Sequence, residues 1–421
     1  MAAARLFDFL NTIAEQGRTI LGADPSTGRN VEQVITNCHR LLSSRGEAAE
    51  IALAFAVLDS YRRFDEEEKT SFFDALLWEF APDSAVVKQA ADSYLKDPTP
   101  TALTKLNEAT TPRRQALLEH LNPAPNATMD LVRMRADLID RLRANPELKA
   151  VDDDFAHVFG SWFNKGFLEL RRIDWQMPAA LLEKLIEYEA VHGMAGWRDL
   201  RKRILPPDRM IYGFFHPQLE HEPLIFVEVA LTTDMPNEIT GILEGEREYL
   251  APEKATTAVF YSISNCQTGL RGVPLGNFLI KQVVEDVRAQ FPTIKQFVTL
   301  SPLPSLRRWV EKLEPGIEAD ADNLMSAAAH YLLEEKARGG KPQDPVARFH
   351  LGNGARLERI NWAANPSDDG QSQSFGIMVN YLYKLDQIEV NHEAYANDGK
   401  VTASTTVQKA AKQFTQAQGA S

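Results

Sequence analysis

The residues best suited to chemistry fall between positions 269 and 350. Gly269-Leu-Arg-Gly-Val-Pro-Leu-Gly276 follows an apolar run and opens a helical pattern. At such a junction the free backbone N–H groups and the helix dipole receive phosphate. Arg271 adds fixed charge suited to a pyrophosphate, and Gly272 and Gly276 let the backbone approach it closely. Val273, Pro274, Leu275 and Asn277 complete the loop. No Gly-Lys-Ser/Thr follows and the spacing is not GxGxxG, so neither common nucleotide loop is present. A structural strand-to-helix turn would have the same composition. Ser301 is the second candidate, because Pro302 biases it towards an extended conformation and so aims its hydroxyl. A Ser-Pro pair also simply ends strands, and no Gly-x-Ser-x-Gly elbow occurs. Of the nine histidines, His350 lies in an apolar, strand-like run just before a tight turn, a setting that also suits a core histidine. His216 and His221 flank a turn. His221-Glu222 begins like HExxH, but Pro223 forbids the helix and Ile225 takes the second histidine's place, so no zinc site is read there.

The elements that must position these residues change character along the chain. Up to about residue 170 the period is helical. Asp65 with Glu68 makes a capping-box signal ahead of Phe72, Phe73, Leu76, Leu77 and Phe80. Leu131, Met134, Leu138 and Leu142 form a second stripe that Asn145-Pro146 closes. Phe155, Phe159, Trp162, Phe163 and Phe167 form a third. These aromatics read as packing between helices, and no chemistry is visible among them. From about residue 205 strand-like runs take over. The runs at 210–215 and 224–231 flank a polar turn and predict an antiparallel hairpin. A third strand covers 257–263, then come the glycine loop and a helix bearing Leu279, Val283, Val284 and Val287. A fourth strand at 296–300 ends at Ser301, parallel to the third and with Ser301 at its carboxyl end, where open sheets bind ligands. A helix with Leu306, Trp309, Val310 and Leu313 follows, and Arg348–Leu351 reads as a strand before an Asn353-Gly354 turn.

At 421 residues, two domains are expected, divided as 1–175, a helical scaffold or assembly domain, and 176–421. Hydrophobic residues make up 44% and charged residues 25%, as in soluble globular proteins. A formal charge of -12 argues against nucleic acid or an anionic membrane as partner. Cys38 and Cys266 are the only cysteines, which excludes a disulfide framework or zinc motif and fits a reducing compartment. No window approaches the roughly 18 apolar residues of a membrane span. The N-terminus lacks the apolar core of a signal peptide and the C-terminus a targeting tripeptide, so a cytoplasmic location is expected.

The loop around Arg271 is similar to the coenzyme A pyrophosphate loop of the GNAT acetyltransferases, with departures at Pro274 and in spacing. A longer series is more specific. His216-Pro217 with Glu222-Pro-Leu-Ile-Phe-Val-Glu-Val-Ala-Leu-Thr232, Phe260–Ser264, Gly269–Lys281 and Leu300-Ser-Pro-Leu-Pro304 come first. Asp344-Pro-Val-Ala-Arg-Phe-His-Leu-Gly-Asn-Gly354, Arg359-Ile-Asn-Trp362 and Gly376–Tyr383 follow. In this order the segments closely resemble the malonyl-CoA decarboxylase family, strongly over about 155–385 and loosely before. The resemblance implies an α+β chain with an all-helical N-terminal domain and a GNAT-like mixed α/β catalytic domain. It implies a homo-oligomer, a tetramer, and conversion of malonyl-CoA to acetyl-CoA and CO2 with no cofactor and no metal. Carried over by motif, Ser301 and His350 are the catalytic pair, Tyr383 is an active-site neighbour, and Arg271–Asn277 is the malonyl-CoA loop. Animal members carry a glutamate at the position of Pro274 and a glutamine at that of Arg271, so any role of that glutamate is absent or filled differently.

The residue types agree with this chemistry. Loss of CO2 leaves an enolate, whose charge must be stabilised and whose carbon must be protonated. The thioester itself delocalises the charge, removing the need for an electron-sink cofactor. A protonated His350 is the expected donor, with Ser301 on a substrate oxygen relaying the proton. Two rivals stay open at this point. A GNAT-type acyltransferase would need a second pocket for an amine. A non-catalytic acyl-CoA sensor would leave Ser301 and His350 structural.

Overall fold

The computed structural model describes residue 12 and residues 30–219, 222–244, 247–273, 279–313, 320–337 and 339–419. The chain forms two compact units. The first contains Met1–Phe167 together with Pro217–Leu219 and Gln267–Leu275, and the second contains Leu168–His216, Glu220–Cys266 and Gly276–Ser421.

The helical period of the first part produces helices α1 (Val31–Ser43), α2 (Glu47–Tyr61), α3 (Glu66–Trp78), α4 (Ser84–Lys96), α5 (Pro100–Thr110), α6 (Arg113–Leu121), α7 (Ala127–Arg141) and α8 (Lys149–Trp162). The capping box at the start of α3 is formed, with Asp65 accepting from Glu68 N and Glu68 accepting from Asp65 N. Each such cap satisfies N–H groups that have no partner inside the helix. Phe72, Phe73, Leu76 and Leu77 on α3, Leu131, Met134 and Leu138 on α7, and Phe155 and Phe159 on α8 are all buried. Phe167 departs from its expected stripe: α8 stops at Trp162 and Phe167 is 53% exposed.

In the first unit, the start of the glycine loop packs on α7. Arg135 bridges Asp152 at 2.8 Å and donates to the Gly269 carbonyl at 2.7 Å. A Cβ on residue 269 would stand 1.8 Å from the Val132 carbonyl oxygen, so only glycine fits.

The second unit contains β1 (Glu169–Ile173), α9 (Ala179–Tyr188), α10 (Trp197–Ile204), β2 (Arg209–Phe215), β3 (Ile225–Thr232), α11 (Thr240–Leu243), β4 (Thr257–Asn265), α12 (Leu279–Gln290), β5 (Gln296–Thr299) and β6 (Ser301–Pro302). α13 (Leu306–Val310), α14 (Ala321–Leu333), α15 (Pro345–Gly352), β7 (Arg356–Asn361), α16 (Asp368–Ser374), β8 (Met378–Leu382), α17 (Ile388–Asp398) and α18 (Thr405–Gly419) complete it. The strands form one mixed sheet in the order β1-β2-β3-β4-β5-β8-β6, with β7 on the other side of β8. The α+β class is thus as expected. The expected hairpin is β2–β3, antiparallel, and β4 pairs β5 in parallel. The β3–β4 register shifts at Glu228/Val229, leaving Tyr261 as the extra residue of a bulge. One apolar cluster joins α9 and α10 to the sheet through Leu181, Leu185, Leu200, Ile211 and Phe226. Another joins Val259, Tyr261, Val298, Leu300 and Met378.

Two expectations fail in this unit. Arg348–Leu351 is not a strand but part of α15, because Asp344 N-caps it (Ala347 N to Oδ1 2.8 Å) and Pro345 occupies its first turn. The buried Ala347, His350 and Leu351 are spaced for one helical face. The helix after Ser301 stops at Val310, so Leu313 lies beyond it.

Candidate active site

Ser301 is positioned by a change of strand partner. β5 runs beside β4 as far as Thr299, and then Ser301-Pro302 pairs antiparallel with β8, Ser301 opposite Val379. Thr299 and Ser301 are two residues apart, and the Ser301 hydroxyl donates to Thr299 Oγ1 at 2.9 Å. Thr299 is itself held by β8: Tyr381 N donates to its Oγ1 at 3.1 Å and Asn380 Nδ2 to its carbonyl at 2.8 Å.

His350 arrives from α15. Its Nε2 lies 3.0 Å from Ser301 Oγ and its Nδ1 2.8 Å from the Tyr383 hydroxyl. The imidazole lies nearly flat against the Tyr381 ring, centroids 4.7 Å apart at 25°. Tyr383 follows β8 immediately, its N–H donating to the Phe297 carbonyl at 2.8 Å. Tyr383, His350, Ser301 and Thr299 therefore form one chain of hydrogen bonds, nearly all of it shielded from solvent. With Ser301 donating to Thr299, the ring must donate from Nε2 to Ser301 and accept at Nδ1 from Tyr383.

Electrostatics changes one expectation. Burial pushes the His350 pKa down to about 3, because an imidazolium loses its hydration there and gains no anionic partner. The ring of the free protein is neutral at ordinary pH, not the protonated donor expected from sequence. Burial likewise holds the Tyr383 phenol well above its usual value, so it stays protonated.

Ser301 and His350 border a cavity of about 220 Å³ in the second unit. Most of its wall is apolar, including Val191, Phe260, Ile263, Pro302, Val346 and Phe349, while Ser262 and Asn265 add polar atoms from β4. At about 30 Å³ per liquid water, it holds roughly seven waters' worth of ligand, the scale of a short acyl group. Such a cavity presents a hydroxyl and an N–H to one end of a ligand and mostly apolar surface to the rest. Among the described residues no group of three or more His, Cys, Asp or Glu side chains comes together as a metal site. Among them, too, no helix is long and apolar enough to cross a membrane.

Comparison with known proteins assigns the family. The malonyl-CoA decarboxylase N-terminal domain matches residues 80–163 and the C-terminal domain matches residues 166–323 and 317–420. The chain belongs to the malonyl-CoA decarboxylase family. It is 36% identical over 358 residues to the mitochondrial malonyl-CoA decarboxylase of Anser anser anser, covering 73% of this chain and 71% of that one. Solved malonyl-CoA decarboxylases from Rhodopseudomonas palustris (TM-score 0.86, 47% identity) and Agrobacterium vitis (0.84, 48%) each align over 90% of this chain and 99% of their own.

For this member of the carboxy-lyase family, the structure brings Ser301, His350 and Tyr383 together. Of the loop residues, Arg271 and Gly272 are exposed and Val273 is buried, all in the first unit; Pro274, Leu275, Gly276 and Asn277 lie outside the described residues, as does His221. Gly272 adopts φ +78°, a conformation suited to glycine. Sequence reasoning missed Thr299 and Tyr381, although each stands two residues from a chosen one in extended chain, where such residues share a face. It also missed Val191, for which no local signal exists.

Proposed function

We propose that the protein converts malonyl-CoA to acetyl-CoA and CO2 without a cofactor, with Ser301, His350 and Tyr383 as its proton-handling chain. The observation that carries this reading is the 3.0 Å contact between Ser301 Oγ and His350 Nε2, backed by Tyr383, at an apolar cavity of acyl size. The mechanism must respect the neutral ring. A malonyl carboxylate entering the cavity supplies the missing anion and raises the imidazole pKa, so substrate binding takes up one proton. The bond between Cα and the carboxylate then breaks, CO2 leaves, and the electron pair is delocalised into the thioester as an enolate. The Ser301 hydroxyl and His350 Nε2–H donate to the developing oxyanion, and the ring proton passes to Cα, directly or through Ser301. One proton in and one CO2 out balance the reaction. Tyr383 holds Nδ1 through both states, accepting from it when the ring is charged. Arg271 and its loop bind the coenzyme diphosphate, and the helical unit supports assembly into a homotetramer in the cytoplasm.

The test is chelator-treated protein with malonyl-CoA, followed by mass analysis of the thioester and of released CO2. Equal amounts of acetyl-CoA and CO2 are expected. Malonyl-CoA recovered unchanged points to an acyl-CoA sensor, transfer to an added amine points to an acyltransferase, and activity restored only by a divalent ion overturns the cofactor-free mechanism.

A further inference from the structure

Behind the cavity wall formed by Val191 stands a group of buried charges that the proposed mechanism does not use. Glu189 ends α9 and is almost fully buried. Its Oε1 accepts from Val191 N at 3.0 Å, His192 N at 2.6 Å and Ser262 Oγ at 2.8 Å. Its Oε2 accepts from Ser262 Oγ at 2.8 Å and Ser264 Oγ at 3.1 Å. From the other side, Arg203 donates to the His192 carbonyl at 2.6 Å while its Nη1 holds the fully buried Glu228 on β3 at 3.1 Å. A bend of irregular chain is thus clamped at both its N–H groups and its carbonyl.

Buried charges of this kind are expensive and add little net stability over apolar packing, even when well paired. What this set achieves locally is to hold the backbone at Val191, a residue of the cavity lining, to Ser262 and Ser264 of β4 through Glu189. The remaining apolar walls belong to regular strands and helices, or to Pro302 and Pro345. Val191 is the wall residue on an irregular bend, and the clamp removes the freedom such a segment would otherwise have. A wall that cannot yield discriminates between ligands by size; a yielding one does not.

We infer that Val191 is a specificity-determining residue that limits substitution on the carbon between thioester and carboxylate, with Glu189 as its positioning residue. This rests on the decarboxylase reading of the same cavity. A CH2 at that carbon is accommodated; a 2-methyl branch meets the Val191 side chain. One extra methyl group in a rigid apolar pocket changes kcat/KM by about 10- to 200-fold.

The experiment compares kcat/KM for malonyl-CoA and 2-methylmalonyl-CoA in wild type, Val191→Ala, Val191→Thr and Glu189→Gln. Val191→Ala raises the ratio of branched to unbranched substrate by at least about tenfold. Val191→Thr, of nearly the same volume, leaves the ratio unchanged. Glu189→Gln loosens the clamp and raises the ratio by a smaller factor. An unchanged ratio in Val191→Ala, or an equal change in Val191→Thr, overturns the inference. Val191 is only half-buried, so its variants fold whatever becomes of Glu189→Gln. If wild type leaves malonyl-CoA intact, the decarboxylase reading falls. The wall is then still read by the relative affinities for acetyl-CoA and propionyl-CoA, which Val191→Ala shifts towards propionyl-CoA.

Discussion

His350 bonds to two hydroxyls and no carboxylate, and that shapes its chemistry. Burial holds the free ring neutral, down to a pKa of about 3, so in the proposed mechanism the proton used at Cα arrives with the substrate. kcat/KM reports the free enzyme, so it falls as pH rises from about 5 to 8, while kcat stays level up to the pKa of the complex. A flat kcat/KM over that range means that the ring enters the reaction already charged or is never charged. Calorimetric titration with a sulfonate analogue of malonyl-CoA, which cannot lose CO2, reads the same proton uptake directly. His350→Ala and Ser301→Ala each lower kcat by about 10²-fold or more with thioester binding retained. Tyr383→Phe removes one hydrogen bond to Nδ1 and lowers kcat by about tenfold. Under the proposed function, Arg271 meets a different part of the ligand. Arg271→Ala removes a charge-assisted hydrogen bond of roughly 1.5–3 kcal/mol, about 10- to 150-fold in affinity, and raises KM far more than it lowers kcat. Malonyl-pantetheine, which lacks the diphosphate, is insensitive to it. An equal penalty on both substrates places Arg271 at the malonyl end or in the fold.

At the scale of elements, α15 carries His350 and Asp344 caps it. Asp344→Ala removes the cap at a cost of about 0.5–2 kcal/mol and lowers kcat by shifting the helix, whereas Asp344→Asn keeps an acceptor at the N-cap and most of the activity. Burial pushes the Asp344 carboxyl up to about 6, since its second oxygen has no partner among the described residues. A raised carboxyl pKa means that the folded state holds a proton the unfolded chain has released. That contribution is complete below about pH 4 and is lost as pH rises through about 6. The stability advantage of wild type over Asp344→Asn therefore shrinks across that interval, which urea unfolding at stepped pH measures. The glycine loop has a structural member too. Gly269→Ala drives a methyl group into the Val132 carbonyl and destabilises the helical unit by about 1–3 kcal/mol or more. Gly272→Ala meets no atom within 4 Å but is strained by its φ of +78°.

For the molecule as a whole, buried histidines link stability to acid. His192, like His350, is buried neutral, with a pKa pushed down to about 4. Each folded pKa lies below the unfolded value of about 6.5, so the stability each contributes is complete above that pH and is lost as pH falls towards 4 and 3. The raised carboxyls of Asp344 and Glu228, the latter at about 7 because burial outweighs Arg203, act in the opposite sense over much of the same range. The contributions of these four groups therefore partly cancel, and the individual contributions emerge in differences. His350→Gln and His192→Gln each lose their stability deficit relative to wild type as pH falls from about 6.5. A deficit independent of pH assigns their effect to packing instead.

Much of this is legible in the sequence alone. The capping box at Asp65, the apolar stripes of α3 and α7, the β2–β3 hairpin and the parallel β4–β5 pair all rest on local periodicity, which a short window contains. The motif series likewise named Ser301, His350 and Tyr383, and the structure brings those three into contact. Tertiary structure decided the rest. A four-residue run such as Arg348–Leu351 fits strand or helix equally, and the Asp344 cap with burial of one face selected the helix. The charge on His350 was invisible because a pKa depends on what surrounds the ring, and those groups come from residues 299–301, 345–349 and 381–383 together. Val191 and Glu189 left no trace in the chain, since a polar residue after a helix has no signature of burial. Only when the bend closes over Ser262 and Ser264 does the carboxylate gain its donors, and only then does one valine become part of a cavity wall.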